Sequence, residues 1–132
     1  MKIAAFDIDG TLLFPDGIAA ADVAAIRAWQ DAGHLAVAAT GKSLSALRQA
    51  LEPHGLVFDY SVVFTGAGVA DRAGNYLFSR TVPTGSLHDI LTLLLGDPTV
   101  AVYATTLHGP DVLLSEQPAR LTGTILREWE RR

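Results

Sequence analysis

The chain has 132 residues, 49% of them hydrophobic, too apolar for a disordered chain and long enough for one core, so one domain or part of a larger one is expected. Its formal net charge of −4 argues against bulk nucleic-acid binding, which needs a basic face, while local charge leaves an anionic substrate open. It contains no cysteine, which excludes a disulfide framework and a thiolate metal site.

The elements follow in chain order. Residues 2–8, "KIAAFDI", form a nearly continuous apolar run, which suits a parallel strand covered on both faces. Asp7 and Asp9 interrupt any signal-peptide core here. "FPDG" (14–17) is turn chemistry. Val23, Ile26 and Trp29 recur at helical spacing, and Gly33 stops that helix. "HLAVAAT" (34–40) reads as a second buried strand. Ser43 is a candidate N-cap for a helix carrying Leu44, Leu47, Ala50 and Leu51, which Pro53 and Gly55 end. "YSVVFTGA" (60–67) reads as a third strand. This β-α-β-α-β alternation predicts an α/β parallel sheet with right-handed crossovers.

The pattern changes after residue 68. Residues 68–82 predict a hairpin around "DRAGN", with Tyr76 and Phe78 on one face. A helix is expected over 86–96, two strands over 99–107 and 111–115, and a helix over 118–132. The domain reading is therefore a core half over 1–68, a connecting hairpin over 69–82 and a second subdomain over 83–132. The longest apolar stretch, "ILTLLL" (90–95), is too short to span a bilayer, so a soluble, cytoplasmic protein with no membrane partner is expected.

In such sheets ligands bind beyond the carboxyl ends of the strands. Those ends carry residues 7–11, 40–43 and 65–68, all polar or glycine-rich. Asp7 and Asp9, two apart at a strand end, share a face. Two close carboxylates repel unless a cation lies between them, and hard oxygen ligands suit Mg²⁺, which also takes phosphate oxygens. Gly10 permits an unusual turn, and Thr11 adds a hydroxyl and an N–H. "TGKS" (40–43) sets a hydroxyl, a glycine and Lys42 at a helix start, where free N–H groups attract phosphate. These parts fit phosphoryl transfer: one carboxylate attacks phosphorus, and a second protonates the leaving oxygen and then activates water.

"DIDGTLL" (7–13) resembles the first motif of the haloacid dehalogenase superfamily, D-x-D-G-T-[LV] after an apolar strand. "AATGKS" (38–43) resembles its second motif in the ATGR-like form of the Cof-type phosphatases. "VVFTGAGVADRAGNYLFSRTV" (62–82) resembles their segment leading from strand three to the cap, and the later αββ stretch is similar to the start of that α/β cap. The resemblance implies a HAD-like Rossmannoid core half followed by a partial cap. It implies that Asp7 is the nucleophile and a Mg²⁺ ligand, and that Asp9 is the acid/base and a ligand through its backbone carbonyl. Thr40, Gly41 and Lys42 would hold the phosphoryl group, with Gly10 and Thr11 shaping the loop. The implied substrate is a small phosphorylated metabolite.

The family's third-motif lysine and its G-D-x-x-[ND] acidic motif follow the cap. "GDPT" (96–99) lies too early in the order and lacks the second acid, so Asp97 is not assigned to that motif. Thr65 stands where the family usually has Asn. In the family strand one is central, so a fragment, or a homodimer covering the exposed edge of residues 2–8, is expected, with weak or no turnover. A non-catalytic domain that binds phosphate or Mg²⁺ is the alternative. "TGAGVAD" (65–71) departs from a dinucleotide loop at Asp71. A receiver domain needs an acceptor aspartate where this chain has Thr65. The histidines at 34, 54, 88 and 108 lack ligand spacing.

Overall fold

The computed structural model describes residues 1–97 and 99–114. They divide into a first compact unit, Met1–Arg80, and a second that begins at Thr81.

The first unit alternates strand and helix. Strand β1 (Ile3–Asp7) is followed by a two-residue hairpin, β2 (Leu13–Phe14) and β3 (Gly17–Ile18), then helix α1 (Ala20–Asp31). Strand β4 (Leu35–Ala39), helix α2 (Leu44–Leu51), and strands β5 (Tyr60–Val63), β6 (Gly68–Asp71) and β7 (Tyr76–Ser79) complete it. The five-stranded sheet runs β1-β4-β5-β6-β7. β1, β4 and β5 are parallel, as the alternation predicts. The hairpin strands β6 and β7 add to the same sheet antiparallel to β5, with a register shift at Val69/Ala70.

Local chemistry explains the boundaries. The "FPDG" turn closes β2 onto β3, and Gly17 supplies a positive φ of 102° beside the His54 ring. The Ser43 side chain accepts a hydrogen bond from the Ala46 N–H at 3.1 Å, capping α2 as its sequence position predicts. α2 turns Leu44, Leu47 and Leu51 inward, onto a core that includes Ile8, Ile26, Phe58 and Val63. Trp29 packs against that core and donates its indole N–H to the Leu35 carbonyl at 2.9 Å.

One feature departs from the sequence reading. The third strand ends at Val63, because Phe64 and Thr65 both take left-handed backbone angles, with φ of 52° and 55°. Neither residue type favours that region. Among the described residues β1 forms one border of the sheet, the exposed edge expected of residues 2–8, although its apolar run by itself suits a strand covered on both faces. Ile3, Ala5 and Asp7 are exposed, and Ile3 retains 66% of its accessible surface.

Asp59 ties the first unit together just before β5. Its Oδ2 accepts the Ala36 N–H at 2.8 Å and the Gln30 amide at 3.0 Å, and its Oδ1 takes the Arg72 guanidinium at 3.1 Å. Burial pushes its pKa upward, but the hydrogen bonds from Ala36, Gln30 and Arg72 outweigh that and hold it below the ordinary carboxylate value.

The second unit contains helix α3 (Thr84–Leu94) and a short antiparallel pair, β8 (Tyr103–Ala104) and β9 (Val112–Leu113). The helix predicted over 86–96 thus begins two residues earlier, and the two predicted strands pair over only two residues each. Asp97 caps a turn: its Oδ1 accepts both the Thr99 N–H at 2.8 Å and the Thr99 hydroxyl at 2.6 Å. None of this unit's described residues is buried. The helix predicted over 118–132 lies outside the described residues. No helix among the described residues is long and apolar enough to cross a membrane.

Candidate active site

The predicted site residues collect at the carboxyl ends of β1 and β4. Asp7 is the last residue of β1 and pairs in register with Ala39, so it sits beside the start of the 40–43 loop. After it the chain makes one tight turn: the N–H groups of Thr11, Leu12 and Leu13 all point back to the Ile8 carbonyl, at 3.3, 3.0 and 2.8 Å. Ile8 and Leu12 are buried and anchor the turn, while Asp7, Asp9, Gly10 and Thr11 remain exposed. Gly10 has a φ of 77°, and its N–H donates to the Leu13 carbonyl at 3.0 Å. A side chain there would be strained, which explains the glycine. The Thr11 hydroxyl donates to Asp7 Oδ2 at 2.7 Å, fixing the rotation of that carboxylate.

The 40–43 loop forms the opposite rim. Thr40 is buried, and its backbone N–H donates to the Val62 carbonyl at 3.0 Å. Its hydroxyl accepts the Lys42 N–H at 3.2 Å and so keeps its own proton to donate. Gly41 lies against the turn after β5, where a Cβ at position 41 would come to 3.4 Å from Thr65 Oγ1. The Lys42 ammonium reaches across to Asp9 Oδ1 at 2.9 Å. The structure thus joins Asp7 to Thr11, Asp9 to Lys42, and Lys42 to Thr40.

Sequence reasoning missed the Asp9–Lys42 pair, since nothing local links residues so far apart. It also missed the left-handed Phe64–Thr65 turn behind Gly41. The one available signal was Thr65 itself, standing where the resemblance leads one to expect Asn, a residue that tolerates left-handed angles. Replacing Thr65 by Asn is therefore expected to stabilise the chain by about 0.5–1 kcal/mol, read as a higher urea midpoint. A lower midpoint would show that the Thr65 hydroxyl outweighs the backbone strain.

Asp7 and Asp9 offer hard oxygen donors of the kind Mg²⁺ takes, and both are exposed to solvent. Among the described residues no third acidic or histidine side chain joins them in a metal-binding group. Asp97 is occupied in its own turn. Two of the four histidines serve other purposes: His34 packs on Trp29, with ring centroids 4.4 Å apart, and His54 Nε2 accepts the Ile18 N–H at 3.4 Å.

The sequence pattern of the haloacid dehalogenase-like hydrolases matches residues 4–120. The chain belongs to that family. No curated protein matches it in sequence. Among solved structures, a haloacid dehalogenase-like hydrolase from B. subtilis is 29% identical with a TM-score of 0.63, over 70% of this chain and 33% of that one. Two others share the fold. BT1666, a phosphatase of the haloalkanoate superfamily from Bacteroides thetaiotaomicron, is 22% identical with a TM-score of 0.69, over 96% of this chain and 44% of that one. The subclass IIB sugar phosphatase BT4131 is 23% identical with a TM-score of 0.56, over 70% of this chain and 36% of that one. The chain thus spans less than half the length of each of these three. Its sheet and helices have the HAD-like Rossmann-type α/β architecture.

Proposed function

We propose that this chain carries the nucleophile-bearing part of a Mg²⁺-dependent phosphatase for small phosphomonoesters, working through an aspartyl-phosphate on Asp7. The observation that carries this reading is the pairing at the strand ends: Asp7 oriented by the Thr11 hydroxyl, and Asp9 held opposite by Lys42. With one oxygen engaged by Thr11, Asp7 keeps the other for attack on phosphorus. Asp9 is the proton donor to the leaving oxygen and then the acceptor from water. The Thr40 hydroxyl and the Gly41 N–H receive phosphoryl oxygens, while Gly10 and Thr11, whose N–H groups are engaged within the turn, shape the loop.

Mg²⁺, held by the Asp7 carboxylate and the Asp9 backbone carbonyl, supplies charge compensation between nucleophile and phosphate when bound. Because the described residues offer only this acidic pair, turnover by the chain alone is expected to be slow. The substrate is a small phosphorylated metabolite of the cytoplasm. Self-association along β1 would cover the exposed border of the sheet.

The test is hydrolysis of p-nitrophenyl phosphate by the purified chain. The rate is expected to fall to background when EDTA removes Mg²⁺ and to return when Mg²⁺ is restored. A folded chain that binds inorganic phosphate without turnover in Mg²⁺ would sink the enzymatic reading in favour of a non-catalytic phosphate-binding domain.

A further inference from the structure

We propose that Lys42 is a positioning residue for Asp9, fixing that carboxyl group for proton transfer instead of binding the phosphoryl group itself; this rests on the phosphatase reading above. The Lys42 side chain is only 8% exposed, whereas that of Asp9 is 52% exposed. An ammonium so withdrawn from water needs an oxygen acceptor, and Asp9 Oδ1 lies 2.9 Å from it, an acceptor whether the carboxyl group is ionised or carries a proton on Oδ2. Asp9 in turn keeps an open side toward solvent, where a ligand can reach it.

The base of the lysine is held from two directions. Its N–H donates to Thr40 Oγ1 at 3.2 Å, and its carbonyl accepts the Phe64 N–H at 2.9 Å. The end of β4 and the left-handed turn after β5 therefore aim the lysine stem. Asp9 sits on a tight loop and is half open to water, where an unheld carboxylate would sample several rotamers. With Oδ1 engaged by the ammonium, Oδ2 is the oxygen presented to the reacting group.

The proton path is then defined. As an Asp7 oxygen bonds to phosphorus and the bond to the leaving alcohol breaks, the proton on Asp9 passes to the alcohol oxygen. In the second half, Asp9 takes a proton from water as the water oxygen bonds to phosphorus and the Asp7–phosphorus bond breaks. Inorganic phosphate departs, and both carboxyl groups regain their starting states.

A mutant cycle on the full chain tests this. Lys42→Met is expected to lower kcat roughly 10- to 100-fold while KM changes by less than about threefold, and Lys42→Arg to recover most of the loss. In an Asp9→Asn background, Lys42→Met is expected to cost nothing further, because residues that act as a unit are not additive. Inhibition by inorganic phosphate is expected to stay unchanged. Losses that multiply, or a raised KM and weakened phosphate inhibition with kcat intact, would overturn the proposal and make Lys42 a direct phosphate ligand. The same four proteins are compared by urea unfolding, which needs no turnover. Additive midpoint shifts would overturn the pairing itself. Non-additive shifts in a wild-type chain without turnover would overturn the phosphatase reading and leave the pairing standing.

Discussion

Asp7→Asn is expected to lower phosphomonoester hydrolysis by roughly 1,000-fold or more, with the fold intact. The substitution nearly preserves shape. An Asn carbonyl oxygen can still accept the Thr11 hydroxyl, which Asp7 Oδ2 now takes at 2.7 Å, so the tight turn on Ile8 keeps its partner. Position 7 is exposed at the border of the sheet and carries no part of the core. What is lost is the carboxylate charge and the oxygen proposed as the nucleophile. The checks are the steady-state rate, the urea midpoint, and acid-quench trapping of a phosphorylated chain, which the wild type should yield and the variant should not. Full activity in a folded Asp7→Asn chain would place the nucleophile elsewhere and remove the basis of the proposed mechanism.

Asp59→Ala is expected to destabilise the first unit by about 2 kcal/mol at neutral pH, read as a lower urea midpoint. The side chain is the acceptor for the N–H of Ala36, a residue fully buried in β4, and alanine would leave that N–H without it. Asp59→Asn is expected to cost about 1 kcal/mol, because an amide oxygen can still accept from Ala36 while the charged contact with Arg72 is weakened. The two variants also differ from the wild type in their response to acid. The folded-state pKa of Asp59 lies below its unfolded value, so its contribution is fully present above the unfolded pKa, near 4, and is lost as pH falls through the folded value. Between pH 6 and pH 3 the gap between wild type and Asp59→Asn should therefore narrow. A gap that stays constant over that range would show that the Arg72 contact and its companions do not act through the charge on Asp59.

What the sequence made legible was mostly local. Ser43 could be read as a cap because its partner is three residues away, and α2 follows from the spacing of Leu44, Leu47 and Leu51. The alternation over the first 63 residues predicts the parallel β1-β4-β5 core, and the "DRAGN" turn predicts the β6–β7 hairpin. The acidic pair and the Thr40 loop could be placed at strand ends before any coordinates. The rest depends on contacts between distant residues. Nothing near Asp9 in the chain announces Lys42, and Phe64 and Thr65 are poor candidates for left-handed angles, so the early end of β5 was hidden. The β2–β3 hairpin was visible only as a turn, since two-residue strands carry no periodicity.

The border position of β1 would couple self-association to the proposed chemistry. Among the described residues, the strand that lacks a neighbour on one side is also the strand that ends in Asp7. Any polypeptide that zips onto its bare amide and carbonyl groups would finish beside the carboxylate proposed to attack phosphorus. The reaction velocity per molecule should then vary with protein concentration, as dilution strips that neighbour away.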